Sequence, residues 1–188
     1  MRITGDVKQQ MIEKAVLLLA RKGLQRASFS EVLEASGAPR GSLYHHFPGG
    51  KNELVLAAMD EASRRALAAL ESFKGQSADK VAGAFCSIWA SVLTRSRLEA
   101  GCAVVAVTLA SDSPELRRRA GEIFKGWREF LSRMLAEGGI PPTRAEGLAA
   151  SLIAACEGAV AVARAENSIT PFDLVVAEQL RAIKAAIT

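Results

Sequence analysis

The sequence predicts an all-α protein, on three observations. Only ten of its 188 residues are aromatic, while alanine and leucine are abundant, a balance that favours helices over sheets. Apolar residues recur at three- and four-residue spacing along most of the chain. Capping and breaking residues cut that pattern into about nine helices. They are expected to form a three-helix N-terminal module over residues 1–50, containing a helix-turn-helix, and a larger helical domain over residues 51–188. A hydrophobic content of 49% excludes wholesale disorder.

Helix one is expected from Lys8 to Lys22, with Met11, Ile12, Ala15, Val16, Leu18 and Leu19 at helical spacing and Gly23 as the C′ residue. Ser28 stands three residues before Glu31, a capping box that opens helix two, and Gly37 ends it after Ser36. Only "GAP" separates it from helix three, where Pro39 suits the N1 position. Leu43 and Phe47, four apart, face inward with Val32, Leu33 and helix one. Two short helices joined by a glycine-containing turn and propped by a third make the helix-turn-helix.

Helix four is expected from Lys51 to about Phe73, along Leu54, Val55, Ala58, Met59, Ala62, Leu67 and Leu70. Ser77 is the expected cap of helix five, which extends to about Ser96. The valines of "GCAVVAVTLA", Gly101 to Ala110, suit a strand, but no partner strand is visible, so a short buried helix is expected. Ser113-Pro114-Glu115 opens helix seven, which ends near Gly138-Gly139. Thr143 and Glu146 form a second capping box for helix eight, running to about Asn167, and Thr170-Pro171 begins the last helix.

Charge and cysteines narrow the function classes. Residues 1–50 carry seven Lys/Arg against four acids, a balance of +3, whereas the remainder has 17 against 16. Most of the small basic excess is therefore N-terminal, which permits a nucleic-acid partner. Cys86, Cys102 and Cys156 are odd in number and widely spaced, suggesting neither a disulfide framework nor a zinc site, so a reducing cytoplasm is the expected compartment. "MRITGDVKQQ" has no signal-peptide core, and no run of about 18 uninterrupted apolar residues exists. A soluble chain without a membrane partner is expected.

The segment "FSEVLEASGAPRGSLYHHFPGGKNEL" resembles the DNA-binding signature of the TetR family of bacterial transcriptional repressors. The doubled glycine of "FPGGK" and the later "GCAVVAVTLA" are similar to its LmrA-like branch. The specific match covers roughly residues 8–60; beyond it the agreement lies in helix count, length and the "GC" segment. The resemblance implies a homodimer that binds double-stranded DNA at a palindromic operator and is released by a small-molecule effector. The last two helices are the expected dimer surface, because Ala149, Ala150, Ala154, Ala155, Gly158, Ala159, Ala161 and Ala163 leave helix eight with short side chains and Leu174, Leu180 and Ile183 of helix nine can cover the seam. The same small residues also suit packing inside one subunit.

A helix beginning at Pro39 can insert its N-terminal end into the major groove, where Arg40, Gly41 and Ser42 come closest to base edges. Gly41 lets the backbone approach DNA closely, at about 1 kcal/mol of helix stability. By the resemblance, Tyr44 and His46 hold the DNA backbone and Lys51 meets a phosphate. Ser28 caps helix two, whose N-terminus is itself an anion site, and His45 faces outward toward bases or sugar. Pro39 departs from the family, which often has Ser or Thr there, so a hydroxyl contact is lost.

Other chemistry fits these residues poorly. Adjacent histidines point about 100° apart on a helix, unlike the i, i+4 pairs of helical zinc sites. His and Ser42 lack a visible third catalytic partner, and "GGK" lacks the P-loop frame. No metal, cofactor or catalytic residue is therefore expected.

For the effector, Trp89, Phe124, Trp127, Cys156 and Glu157 are the candidate residues, pointing to an apolar, aromatic or cationic molecule. The same aromatics also suit an ordinary core. Glu157, the only charge between Glu146 and Arg164, has three readings: a partner for a cationic effector, an ion pair across a dimer, or a rim residue facing water. Cys102 and Cys156 suit either small apolar fillers or thiol sensors. A ligand-independent regulator or activator remains the rival function.

Overall fold

The computed structural model describes residues 4–187. Among them the regular elements are nine α-helices and no strand. They are α1 (Thr4–Arg26), α2 (Phe29–Ser36), α3 (Arg40–His46), α4 (Lys51–Glu71), α5 (Ala78–Ser96), α6 (Ala103–Ala110), α7 (Pro114–Glu137), α8 (Pro142–Glu166) and α9 (Thr170–Lys184). The all-α expectation holds.

The helices gather into two compact units. Among the described residues, one comprises 4–64 and 102–123, the other 65–101 and 124–187, so α4 and α7 each contribute to both.

In the first unit α1 packs against α2 and α6. Met11, Leu19, Val32, Leu43, Phe47, Leu54 and Met59 are buried and form its core. Helix α1 starts four residues before the expected Lys8 and breaks at Gly23, whose φ of 77° and ψ of 177° interrupt it before a last turn to Arg26. Glycine takes that positive φ without a Cβ penalty. Gly37, with φ 66° and ψ 17°, ends α2 in the left-handed conformation and returns its N–H to the Leu33 carbonyl at 2.9 Å.

Two local expectations here need correction. Pro39 is the N-cap of α3 rather than its first helical residue, because its ψ of 143° is extended. Segment 103–110 is indeed a helix, opened by the Cys102 sulfur accepting the Val105 N–H at 3.5 Å, but it is buried on one face only. Ala103, Val104 and Val107 point inward, whereas Leu109 is 82% exposed, since a single helix lying on α1 leaves its far side in water.

In the second unit α8 packs on α9, and α5 packs on both. Helix α8 is long and apolar enough to cross a membrane by length and composition, and it is the one such helix among the described residues. Its Leu152, Ile153, Cys156, Val160 and Ala163 are instead buried in this unit. Its start differs from expectation: Pro141 caps and Pro142 begins the helix, leaving Thr143 inside the first turn. Glu146 then forms no capping box and lies 3.3 Å from Arg128 Nε.

Helix α5 is capped from a distance. Ser77 occupies the N-cap position without bonding the helix amides, and its hydroxyl serves the Asp79 carboxylate. The Ala78 N–H donates to the Gly138 carbonyl at 2.9 Å instead. A Cβ on Gly138 would lie 2.5 Å from Ala78 N, so this close approach requires glycine.

Candidate nucleic-acid interface

The seven residues of α3 and its C-cap Phe47 sort cleanly by face. Leu43 and Phe47 are fully buried with Val32, while Arg40, Gly41, Tyr44 and His45 are exposed and Ser42 and His46 half-buried. An i, i+4 pair on the inner side therefore fixes the outward direction of every polar side chain between. No acidic residue occurs in α3, which leaves its outer face without a repulsive charge toward a polyanion.

Neighbouring residues brace this face. Tyr44 is 70% exposed, yet its ring meets Phe29 of α2 edge to face, centroids 5.8 Å apart. Beneath α3, Lys8 of α1 places its ammonium 5.2 Å from the Phe47 ring centroid, an attraction of cation and π face. Sequence reasoning did not single out Phe29 or Lys8 as supports. Phe29 carried a faint signal, an aromatic residue in the first position after a cap.

Ser28 accepts the Glu31 N–H at 3.3 Å and caps α2 as expected. The Lys22 ammonium, 2.9 Å from Glu31, and the Ser28 amide hold the Glu31 carboxyl below its ordinary value, outweighing the modest opposing effect of lost hydration. The one carboxylate of α2's first turn is thereby neutralised in place.

Gly41 has open space where a Cβ would stand, with nothing within 4 Å. Nothing in the fold itself asks for glycine there. Lys51 is half-buried at the start of α4, its ammonium donating to the Leu24 carbonyl at 2.9 Å. The rings of His45 and His46 meet edge on, centroids 5.0 Å apart. Lost hydration, then the neighbouring His45 and Lys8, lower the His46 pKa below the usual imidazole value.

The five candidate effector residues all fall in the second unit. Trp89 of α5 meets Trp127 of α7 at 6.3 Å between centroids, and Phe124 meets Trp127 at 5.4 Å. Phe85, one turn before Trp89, extends the chain of rings at 6.4 Å. Both tryptophans are buried, and the Trp89 indole N–H finds no acceptor. Glu157 is half-buried, with Oε1 out of water's reach. Cys156 lies against Cys86 of α5, a pairing that the sequence spacing concealed.

Comparison with known proteins agrees with this architecture. Residues 11–58 match the family model for bacterial regulatory proteins of the tetR family, and residues 78–178 match that for the C-terminal domain of LmrA/YxaF-like transcriptional regulators. An HTH-type transcriptional regulator of Mycobacterium tuberculosis is 34% identical over 175 residues, 89% of each chain. The HTH-type transcriptional regulator LmrA of Bacillus subtilis is 26% identical over 171 residues, 89% of this chain and 91% of that protein. A TetR transcriptional regulator from Chloroflexus aurantiacus superposes with a TM-score of 0.80 at 29% identity, covering 100% of this chain and 98% of the other. With an outward polar face on α3 and matches at both ends of the chain, this protein belongs to the TetR family of DNA-binding transcriptional regulators, in its LmrA/YxaF-like branch.

Proposed function

We propose that the protein is a cytoplasmic repressor that binds a palindromic operator as a homodimer and lets go when a small molecule binds. The observation that carries the DNA half is the sorting of α3, with Leu43 and Phe47 buried and Arg40, Gly41, Tyr44 and His45 facing out. In this reading residues 1–50 bind DNA and residues 51–188 bind ligand and partner. Arg40 donates to a base edge, Gly41 admits the backbone, and Ser42 lies at the same end of the helix. Ser28, Tyr44, His46 and Lys51 hold phosphates, and His45 reaches bases or sugar.

The effector half draws support from Trp89, whose buried N–H lacks an acceptor among the rings of Phe85, Trp127 and Phe124. An unsatisfied buried donor costs about 1–3 kcal/mol, a penalty that an acceptor on an aromatic ligand would relieve. Cys156 and Glu157 complete the proposed lining. Such a ligand releases DNA to the extent that it prefers a conformation whose recognition helices miss successive half-sites.

For the dimer, α8 offers a strip of short exposed residues, Ala154, Gly158 and Ala161, with Leu174 of α9 exposed beside a water-facing helix surface. Ala149, Ala159 and Ala163 of α8 and Ile183 of α9 are instead buried within the protomer. The remaining strip still permits close helix approach.

Selecting binding sites from random DNA, then screening small molecules for release of the selected site, tests the reading. An enriched inverted repeat and a releasing aromatic ligand are expected. Failure to enrich any inverted repeat would overturn the repressor; enrichment without a releasing ligand would favour a ligand-independent regulator.

A further inference from the structure

Cys86 and Cys156 are separated by 70 positions, yet their sulfurs stand 3.8 Å apart where α5 packs on α8. Cys86 is 3% exposed and Cys156 0%. A disulfide needs about 2.05 Å between sulfurs, so the two must approach by only about 1.8 Å, within the range of side-chain rotation and slight helix adjustment. The third cysteine is occupied elsewhere, its sulfur accepting the Val105 N–H at the start of α6.

We propose that Cys86 and Cys156 are a site of reversible covalent modification, a dithiol that a peroxide converts into an intramolecular disulfide tying α5 to α8. A peroxide is the suitable oxidant class because hydrogen peroxide is small and uncharged, and thus enters an apolar interior at less cost than an ion. The Cys86 thiolate attacks one peroxide oxygen and the O–O bond breaks. The sulfur becomes a sulfenic acid, and the departing hydroxide takes up the thiol's proton as water. The Cys156 sulfur then attacks the Cys86 sulfur, the S–O bond breaks, and the hydroxyl leaves with the Cys156 proton as a second water. Two thiols have lost two electrons and one peroxide has become two waters. Exchange with a cellular dithiol restores the reduced pair.

The assignment of roles follows from the environment. Either sulfur can donate the S–H of their contact; Cys86, the slightly less buried of the two and the one whose pKa the contact lowers, is the sulfur that a peroxide meets first. Cys156, pushed upward by that same contact, by burial and by the nearby Cys86 and Glu157 charges, keeps its proton until the second step. The link would join the helix of Trp89, three residues beyond Cys86, to that of Glu157, adjacent to Cys156.

The experiment uses the full chain, as wild type and with Cys102→Ser, exposed to a small excess of hydrogen peroxide without denaturant. The expected result is a monomer mass lower by two hydrogens, loss of two alkylatable thiols, a Cys86–Cys156 cross-linked peptide, and full reversal by dithiothreitol. Cys156→Ser should stop at a Cys86 sulfenic acid that dimedone traps. Retention of both thiols in the folded protein, with linkage appearing only after unfolding, would overturn the proposal, as would a cross-link that involves Cys102 in the wild type. Operator binding by the reduced protein, assayed in parallel, tests the repressor reading separately, because the disulfide does not depend on it.

Discussion

The ammonium of Lys51 donates to the main-chain carbonyl of Leu24 at 2.9 Å, joining the first residue of α4 to the turn that follows the break in α1. An ammonium has three donors, so this bond leaves others for a phosphate. Lys51→Ala should therefore do two things: destabilise the fold by about 1–2 kcal/mol, through the lost bond to a charged donor, and weaken all DNA sequences alike while lowering the salt slope by about one. Arg40→Ala should instead cost about 1–3 kcal/mol mainly at one base position. Binding titrations across salt and operator variants, beside denaturant melts, check both; identical profiles for the two variants would remove the distinction drawn between them.

Gly41 offers a trade between stability and binding. With an open Cβ position and a helical backbone, Gly41→Ala should stabilise the free protein by about 0.5–1 kcal/mol. It should at the same time weaken operator binding, because the added methyl stands between α3 and the groove. A variant that gains stability and keeps full affinity would show that the backbone does not approach DNA at this residue.

His46 links affinity and stability to pH with opposite signs. Its pKa is lowered in the free fold, so the unfolded chain binds more protons as pH falls through the usual imidazole range of about 6.5. Stability contributed by the neutral ring is present above that range and is lost as pH falls through the folded-state value. A phosphate favours the protonated ring, so operator affinity should rise over the same descent. Melting temperature and operator affinity followed from about pH 7.5 to about pH 5.5 should diverge, and His46→Gln should flatten both trends.

At the proposed dimer surface, Gly158 is exposed on α8 with open space around it. Gly158→Leu should leave the protomer folded, since the position is exposed and an added Cβ meets nothing within 4 Å. It should push a second copy away by overpacking. Sedimentation is expected to show a folded monomer that has lost most operator affinity; a dimer of unchanged strength would locate the interface elsewhere.

In the second unit, Trp127 lies between Phe124 and Trp89. Binding of an effector there should change tryptophan fluorescence, and Trp127→Ala should reduce effector affinity at least tenfold, about 1.4 kcal/mol. It should also cost about 3–5 kcal/mol of stability, since a large buried aromatic is lost, so the titration needs a check that the variant remains folded. A releasing ligand whose affinity and fluorescence response ignore this substitution would place the pocket away from these rings.

The sequence alone determined the helix-turn-helix, because each of its signals acts within a few residues. Ser28 reaches only to Glu31, Gly37 ends α2 through its own left-handed backbone, and Leu43 and Phe47 are one helical turn apart. Even there the boundaries shifted, as Pro39 took the cap rather than the first turn, a choice made by one ψ angle. The start of α8 went the same way: two adjacent prolines constrained the backbone ahead of Thr143, so the apparent capping box never formed.

What tertiary structure alone decided lies between residues far apart in the chain. The Gly138 carbonyl caps α5 across sixty positions, Lys51 bonds Leu24, and the non-contiguous segments 4–64 and 102–123 share one core. Cys86 and Cys156 illustrate the reason most plainly. Helical periodicity places each of them on an inward stripe, but the axial offset and rotation of α5 against α8 decide which inward residues touch. Those two degrees of freedom are set by the packing of whole helix faces, including α9 against both, and no local spacing along the chain records them.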